Sequence, residues 1–240
     1  MSSKDIGSVK ALVFDVFGTV VDWRSSVIRE LEQFGRSKGI AADWVAIADG
    51  WRAGYMPSMD RVRKGELPWK TIDELHRTTL DALLAKHGVA GLSEAEKEHL
   101  NRAWHRLSPW PDSLAGLTRL KRRFIIGTLS NGNVALLLNM AKHADLPWDM
   151  IFSAELVRRY KPDPETYRSV PELLRVTPGE VMLVAAHNND LVAAAREGLR
   201  TGFVARPTEY GPHQKHDFEA EHEFDVIAED FVQLAERMGA

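Results

Sequence analysis

The sequence predicts an α/β protein: a doubly wound, mostly parallel sheet core with an inserted helical segment. Three observations lead there. Short apolar, β-branched runs recur along the 240 residues, stretches of helical period separate them, and one long helical stretch interrupts the alternation early in the chain. Strand alternating with helix is the pattern of a parallel sheet covered on both faces.

In chain order, Val9 to Phe14, Phe124 to Leu129, Met150 to Ser153, Val181 to Ala186 and Thr201 to Ala205 read as buried strands. Val134, Leu137, Leu138 and Ala141 mark one helical face, and Phe231, Leu234, Ala235 and Met238 another. Pro171, within the helix-like Pro164 to Val176, is expected to kink that helix or divide it in two. From Trp23 to His105 the chain offers four helix-like segments and no convincing strand. One of them places Trp44, Ile47, Ala48, Trp51 and Tyr55 on a single face, a stripe that reads as core before it reads as ligand box. The expected organisation is therefore a core of residues 1–22 and 106–240 with a helical cap, 23–105, over the carboxyl edge of the sheet.

Composition narrows the function classes. A length of 240 residues and 44% hydrophobic content support a substantial core. There is no cysteine, which removes disulfides, thiol nucleophiles and thiolate zinc sites. The opening MSSKDIGSVK has no apolar signal core, and no run reaches the roughly eighteen apolar residues of a membrane span, so the expectation is a cytoplasmic protein with no membrane partner. A net charge of −3 argues against nucleic acid, because phosphate affinity needs a concentrated cationic face. The basic stretches Arg61 to Lys64 and Lys121 to Arg123 read as a solvated helix end and a strand flank.

Four polar clusters fall at or just after predicted strands, where an open α/β sheet collects its active site. They are Asp15-Val16-Phe17-Gly18-Thr19, Ser130-Asn131-Gly132-Asn133, Tyr160-Lys161-Pro162-Asp163 and His187-Asn188-Asn189-Asp190. Two other patterns fail. Gly127 to Gly132 has the glycine spacing of a phosphate loop but Asn133 and Val134 in place of its lysine and hydroxyl residue, and His213, His216 and His222 fit no helical pair or finger.

In order and spacing the four clusters resemble the motifs of the haloacid dehalogenase superfamily, across essentially the whole chain. The resemblance implies Asp15 as a covalent nucleophile. Most members are phosphatases with a second aspartate two residues on, which protonates the leaving group; here that residue is Phe17, which cannot donate a proton. Halide departure needs no such acid, and DVFGT resembles the first motif of the L-2-haloacid dehalogenases. A small 2-haloacid is then the expected substrate. A phosphatase of a small phosphorylated metabolite, or a silent binding protein of the same fold, is the alternative.

The remaining roles follow from that resemblance. Lys161 is expected beside Asp15, keeping it ionised, and Asp190 is expected to hold the hydrolytic water with Lys161, His187 or Asn188. Arg52, in Gly50-Trp51-Arg52-Ala53-Gly54-Tyr55, reads either as the halide acceptor or as a surface helix arginine. Ser130 and Asn131 match the motif that binds the substrate carboxylate, Thr19 closes the first motif, and Tyr167 reads equally as a site residue or a buried helix tyrosine. The last motif departs from the family: Ala185, Ala186 and His187 replace serine-serine-asparagine, and Asn189 stands where a tryptophan often lines the pocket. His187 reads as narrowing the halide site, positioning water, or making a structural hydrogen bond. With one acid in that motif and a cation at Lys161, no metal or other cofactor is expected. A homodimer through the aromatic-rich cap is a further expectation.

Overall fold

Asp15 owes its position to the strand before it. In the computed structural model, which describes residues 6–240 apart from the side chain of His213, β1 (Ala11–Phe14) ends immediately before this aspartate. The first five residues of the expected core, and His213 of the discounted histidine group, lie outside that description. A short strand β2 (Val21–Asp22) leads into five helices, α1 (Trp23–Lys38), α2 (Trp44–Ala53), α3 (Tyr55–Arg63), α4 (Ile72–Lys86) and α5 (Glu94–Asn101), and a 3₁₀ turn at Arg102–His105. The chain returns through β3 (Ser108–Pro109). It then alternates α6 (Ser113–Lys121), β4 (Ile125–Ser130), α7 (Val134–His143), β5 (Met150–Ser153), α8 (Pro164–Leu174), β6 (Val181–Ala185), α9 (Asn188–Arg196) and β7 (Arg200–Val204). A last strand β8 (Val226–Ala228) precedes α10 (Phe231–Arg237).

Six strands form one parallel sheet in the order β5-β4-β1-β6-β7-β8. Central β1 is buried along its whole length. Because side chains alternate across a strand, Leu12 and Phe14 enter one apolar cluster and Ala11 and Val13 the other. Phe14 meets Phe231 edge to face at 5.4 Å, fixing α10 to the first face. Tyr167, Val170 and Leu191 cover the second, from α8 and α9.

Local chemistry sets the helix ends. Asp22 accepts a hydrogen bond from Ser25 N and opens α1, which stops at Gly39 in a left-handed conformation (φ 66°). Reciprocal capping boxes, Thr71 with Glu74 and Ser93 with Glu96, open α4 and α5. Strands β2 and β3 pair antiparallel, Val21 with Pro109 and Asp22 with Ser108, so the chain leaves for the helices and comes back at adjacent points.

Several expectations are corrected. Five α-helices, not four, lie between residues 23 and 105, because the aromatic stripe breaks at Gly54: Tyr55 starts α3 rather than ending α2, and a Cβ at Gly54 would sit 2.7 Å from Thr79 of α4. Pro171 does not divide α8, which runs through it to Leu174. On α7 the buried face is Leu136, Leu137 and Met140, and Leu138 is exposed. Trp44, Trp51 and Tyr55 are buried within the chain. Among the described residues no helix is long and apolar enough to cross a membrane.

Helix α6 crosses α10 at Gly116, where an added Cβ would lie 2.4 Å from the Cβ of Phe231 and 2.5 Å from its carbonyl carbon. Backbone cannot swing aside as a flexible side chain can. Gly116→Ala is therefore expected to cost about 1–3 kcal/mol through overpacking, more than the roughly 1 kcal/mol of helix propensity that alanine supplies. A lowered urea midpoint measures it, and an unchanged or raised midpoint contradicts it.

Candidate active site

The loop after β1 turns back on itself: Val20 N and Val21 N both donate to Val16 O, and Gly18 takes φ 86°. A Cβ at Gly18 would fall 2.1–2.6 Å from the carboxylate of Glu209, so only glycine lets that acid approach. Within this loop Asp15 N donates to Val184 O of β6, and Thr19 Oγ1 donates to Asp15 Oδ2 at 2.8 Å while accepting from Ala186 N at 3.0 Å. Thr19 thus ties the loop that carries Asp15 to the neighbouring strand. Phe17 points the other way. Its ring meets Trp104 at 5.7 Å and Tyr55 at 6.1 Å, both edge to face, and is 3% exposed.

Lys161 joins two acids: its Nζ lies 3.0 Å from Asp15 Oδ1 and 2.5 Å from Asp190 Oδ2. Its backbone is held by Asn131, whose Oδ1 accepts from Lys161 N at 2.7 Å. Asp190 sits in the first turn of α9, where the helix dipole favours negative charge, and Tyr167 Oη donates to its Oδ1 at 2.6 Å. Burial opposes the charge on Lys161, but Asp15 and Asp190 outweigh it and raise its pKa above the usual lysine range. Burial likewise pushes Asp15 up, yet Lys161 and then His187 overcome it and hold the carboxyl far below the ordinary value. The Tyr167 phenol is pushed up by burial first and Asp190 second, and stays a donor. A divalent ion shared by Asp15 and Asp190 would compete for the place that the Lys161 ammonium takes.

His187 caps α9 with both ring nitrogens opposite carboxylates: Nδ1 is 3.2 Å from Asp15 Oδ2 and Nε2 is 2.8 Å from Glu209 Oε2. Glu209 is 1% exposed and also accepts from Trp23 Nε1 at 3.0 Å. Its Oε1 is 3.7 Å from Arg52 Nη2. Arg52 is no surface arginine. Its guanidinium lies 4.7 Å from the Tyr55 ring centre and 5.4 Å from that of Trp23, and its Nη1 is buried without a hydrogen-bond partner.

A cleft of about 480 Å³ gathers Arg52, Tyr55, Asn131, Lys161, Tyr167, His187 and Asp190, the size of a small-ligand site. Asp15 is bonded to two of these residues. Ser130 and Asn188 are placed differently. The Ser130 hydroxyl accepts from Gly132 N and shapes the turn, while the Asn188 side chain donates to Asp217 and Glu219 O and accepts from Glu221 N, anchoring the 206–221 segment. Glu209 and Tyr210, which bring that segment to the cleft, are absent from the sequence reading: a single glutamate in a polar stretch carries no periodic or motif signal. Of the basic stretch at Arg61 to Lys64, only Arg63 reaches the cleft, paired with Asp163 and Asp60.

A model of the haloacid dehalogenase-like hydrolases matches residues 9–198. The chain belongs to this hydrolase family. It is similar to the (S)-2-haloacid dehalogenase 4A of Burkholderia cepacia, 31% identical over 216 residues that cover 85% of this chain and 88% of that protein. Among solved structures it is similar to the defluorinating L-2-haloacid dehalogenase Rha0230, with 47% identity, a TM-score of 0.94 and coverage of 97% and 96% of the two chains. The L-2-haloacid dehalogenase PA0810 matches at 49% identity and a TM-score of 0.94, over 96% of this chain and 99% of that one.

In this hydrolase, Lys161→Met is expected to leave Asp15 with His187 and Asp190 with Tyr167 but without their shared ammonium, at a cost of about 3–5 kcal/mol near pH 7. Losing the cation raises the folded-state pKa of Asp15, so the penalty relative to wild type shrinks as pH falls and the carboxyl takes a proton. Urea unfolding of the variant and wild type between about pH 3 and 8 tests the sign; a penalty independent of pH contradicts it.

Proposed function

We propose that the chain is an (S)-2-haloacid dehalogenase, converting short 2-haloalkanoates to 2-hydroxy acids. The observation that carries this reading is the pairing of a buried, cation-held Asp15 with Phe17 sealed among aromatics. The carboxylate is ready to attack, and the acid a phosphate ester would need is replaced by a ring.

In the first step Asp15 displaces the halide from carbon 2 on the opposite side: an aspartyl ester bond forms and the carbon–halogen bond breaks with its electron pair leaving on the halide. Arg52 is the acceptor of that anion, its unpartnered Nη1–H being a donor already desolvated. In the second step water adds to the Asp15 carbonyl carbon with Asp190 and Lys161 ordering it. The ester C–O bond breaks, one proton goes to the hydroxy acid and one to solvent, and the Asp15 carboxylate returns. Splitting one displacement into two easier steps is the gain of covalent catalysis.

Residues 23–105 act in this reading as a cap that excludes bulk water, supplying Arg52 and Tyr55 to the cleft. The (S) preference rests on similarity to the dehalogenases named above. Fluoroacetate is a proposed substrate as well, because fluoride, small and strongly hydrated, leaves best into fixed N–H donors, and the similar Rha0230 is defluorinating. The proposed compartment is the cytoplasm, in keeping with a cysteine-free chain.

Halide release from chloroacetate, L-2-chloropropionate and fluoroacetate with metal chelated is the test. Asp15→Asn should lower each rate at least about a thousandfold, with chelator making no difference to wild type. Phosphate release from a generic ester, restored by magnesium, would overturn the dehalogenase reading; chloroacetate turnover without fluoroacetate turnover would remove the fluoride extension alone.

A further inference from the structure

Glu209 lies outside all four motif clusters, yet it is the most completely buried carboxylate in the site. Its two oxygens reach in different directions: Oε2 to His187 Nε2 at 2.8 Å, Oε1 to Trp23 Nε1 at 3.0 Å with Arg52 Nη2 at 3.7 Å. His187 therefore stands between two acids, Glu209 at Nε2 and Asp15 at Nδ1. A neutral imidazole carries one N–H, so either tautomer would set a ring lone pair against one of the carboxylates. Both contacts are attractive only for the imidazolium.

Charge counting agrees. Asp15, Asp190 and Glu209 face Lys161, Arg52 and His187, three carboxylates against three cations only when His187 is protonated. The further acid on this side, Asp217, is taken up by Asn188 N, Asn188 Nδ2 and His216. Burial would lower the imidazole's pKa, but Glu209 and Asp15 raise it well above the ordinary value.

We propose that Glu209 is a positioning residue for ester hydrolysis, holding His187 as an imidazolium with Nδ1–H on the nucleophile. The inference rests on the dehalogenase reading. Asp15 Oδ1 has Lys161 and Asp15 Oδ2 has His187, so whichever oxygen becomes the ester oxygen, the other keeps a cationic donor. When water adds to the ester carbonyl carbon, the carbonyl electron pair moves onto that second oxygen and meets a fixed N–H. With no lone pair to accept a proton, His187 leaves the water's proton to Asp190. Gly18 completes the device, because any side chain there would displace the Glu209 carboxylate.

The test reads His187 directly by 15N NMR of imidazole-labelled protein without substrate. At pH 8 wild type is expected to show both His187 nitrogens protonated, and Glu209→Gln to show a neutral ring. In turnover, Glu209→Gln should hydrolyse the ester at least tenfold more slowly and lose rate as pH rises through the lowered His187 pKa, while wild type keeps its rate. Intact-protein mass should show the aspartyl ester accumulating on chloroacetate. His187→Gln should accumulate it too, and the double variant should be no slower than the slower single. A neutral His187 in wild type at pH 8, an unshifted pH profile in Glu209→Gln, or additive losses in the double variant would overturn the proposal. If Glu209→Gln does not fold, the wild-type spectrum still decides. If wild type releases no halide, the dehalogenase reading and the hydrolytic role fall together, while the spectrum separately decides the protonation state.

Discussion

One ammonium group organises the carboxyl edge of this sheet. Lys161 Nζ is shared by Asp15 and Asp190, which arrive from β1 and from α9 and would otherwise repel each other in a buried setting. Such a charge is tolerable inside a protein only when paired and hydrogen-bonded on every side, and the surrounding residues meet that demand. Asn131 holds the lysine's backbone, Tyr167 takes the free oxygen of Asp190, and Thr19 takes an oxygen of Asp15. Four segments distant in sequence are thereby locked to one point.

The aromatic cluster solves a different problem, joining the helical segment to the sheet. Phe17, Trp23, Trp51, Tyr55 and Trp104 interlock through edge and stacked contacts around the loop after β1. They belong to the same apolar cluster as Leu12 and Phe14 of β1. His76 lies among them with both ring nitrogens unpartnered, and burial pushes its pKa down to about 3, so it behaves as a neutral aromatic filler. Phe17, two residues after Asp15, is thus also one of the rings that seat the helices.

How much of this was legible depended on range. Strands β1 and β6 are continuous apolar runs because both faces of the sheet are covered there; β4, β5 and β7 keep enough apolar residues to register, and the polar residues at the strand ends mark the site. Strand β8 is three residues long and β2 and β3 two each, too short for any period to register. Gly54 hid the break between α2 and α3, since its dihedrals are helical and the apolar spacing continues across it. Among site residues, Asp15, Lys161 and Asp190 stood in motifs, whereas Glu209 depends on contacts with His187 and Trp23, 22 and 186 residues away. No local pattern encodes a partner that distant. Asn188 shows the converse: it occupies a motif position but is spent on anchoring a loop.

The β2–β3 ribbon makes the helical segment, in topological terms, one large loop with its ends clipped together by Val21–Pro109 and Asp22–Ser108. The entropy of closing a loop grows only with the logarithm of its length, so lengthening or shortening what lies beyond the clip costs the sheet little. Chemistry and selectivity are then separable inheritances. Asp15 and Lys161 stay with the sheet, while the helical segment that brings Arg52 and Tyr55 to the cleft, entering and leaving at a single doorway, is free to diverge.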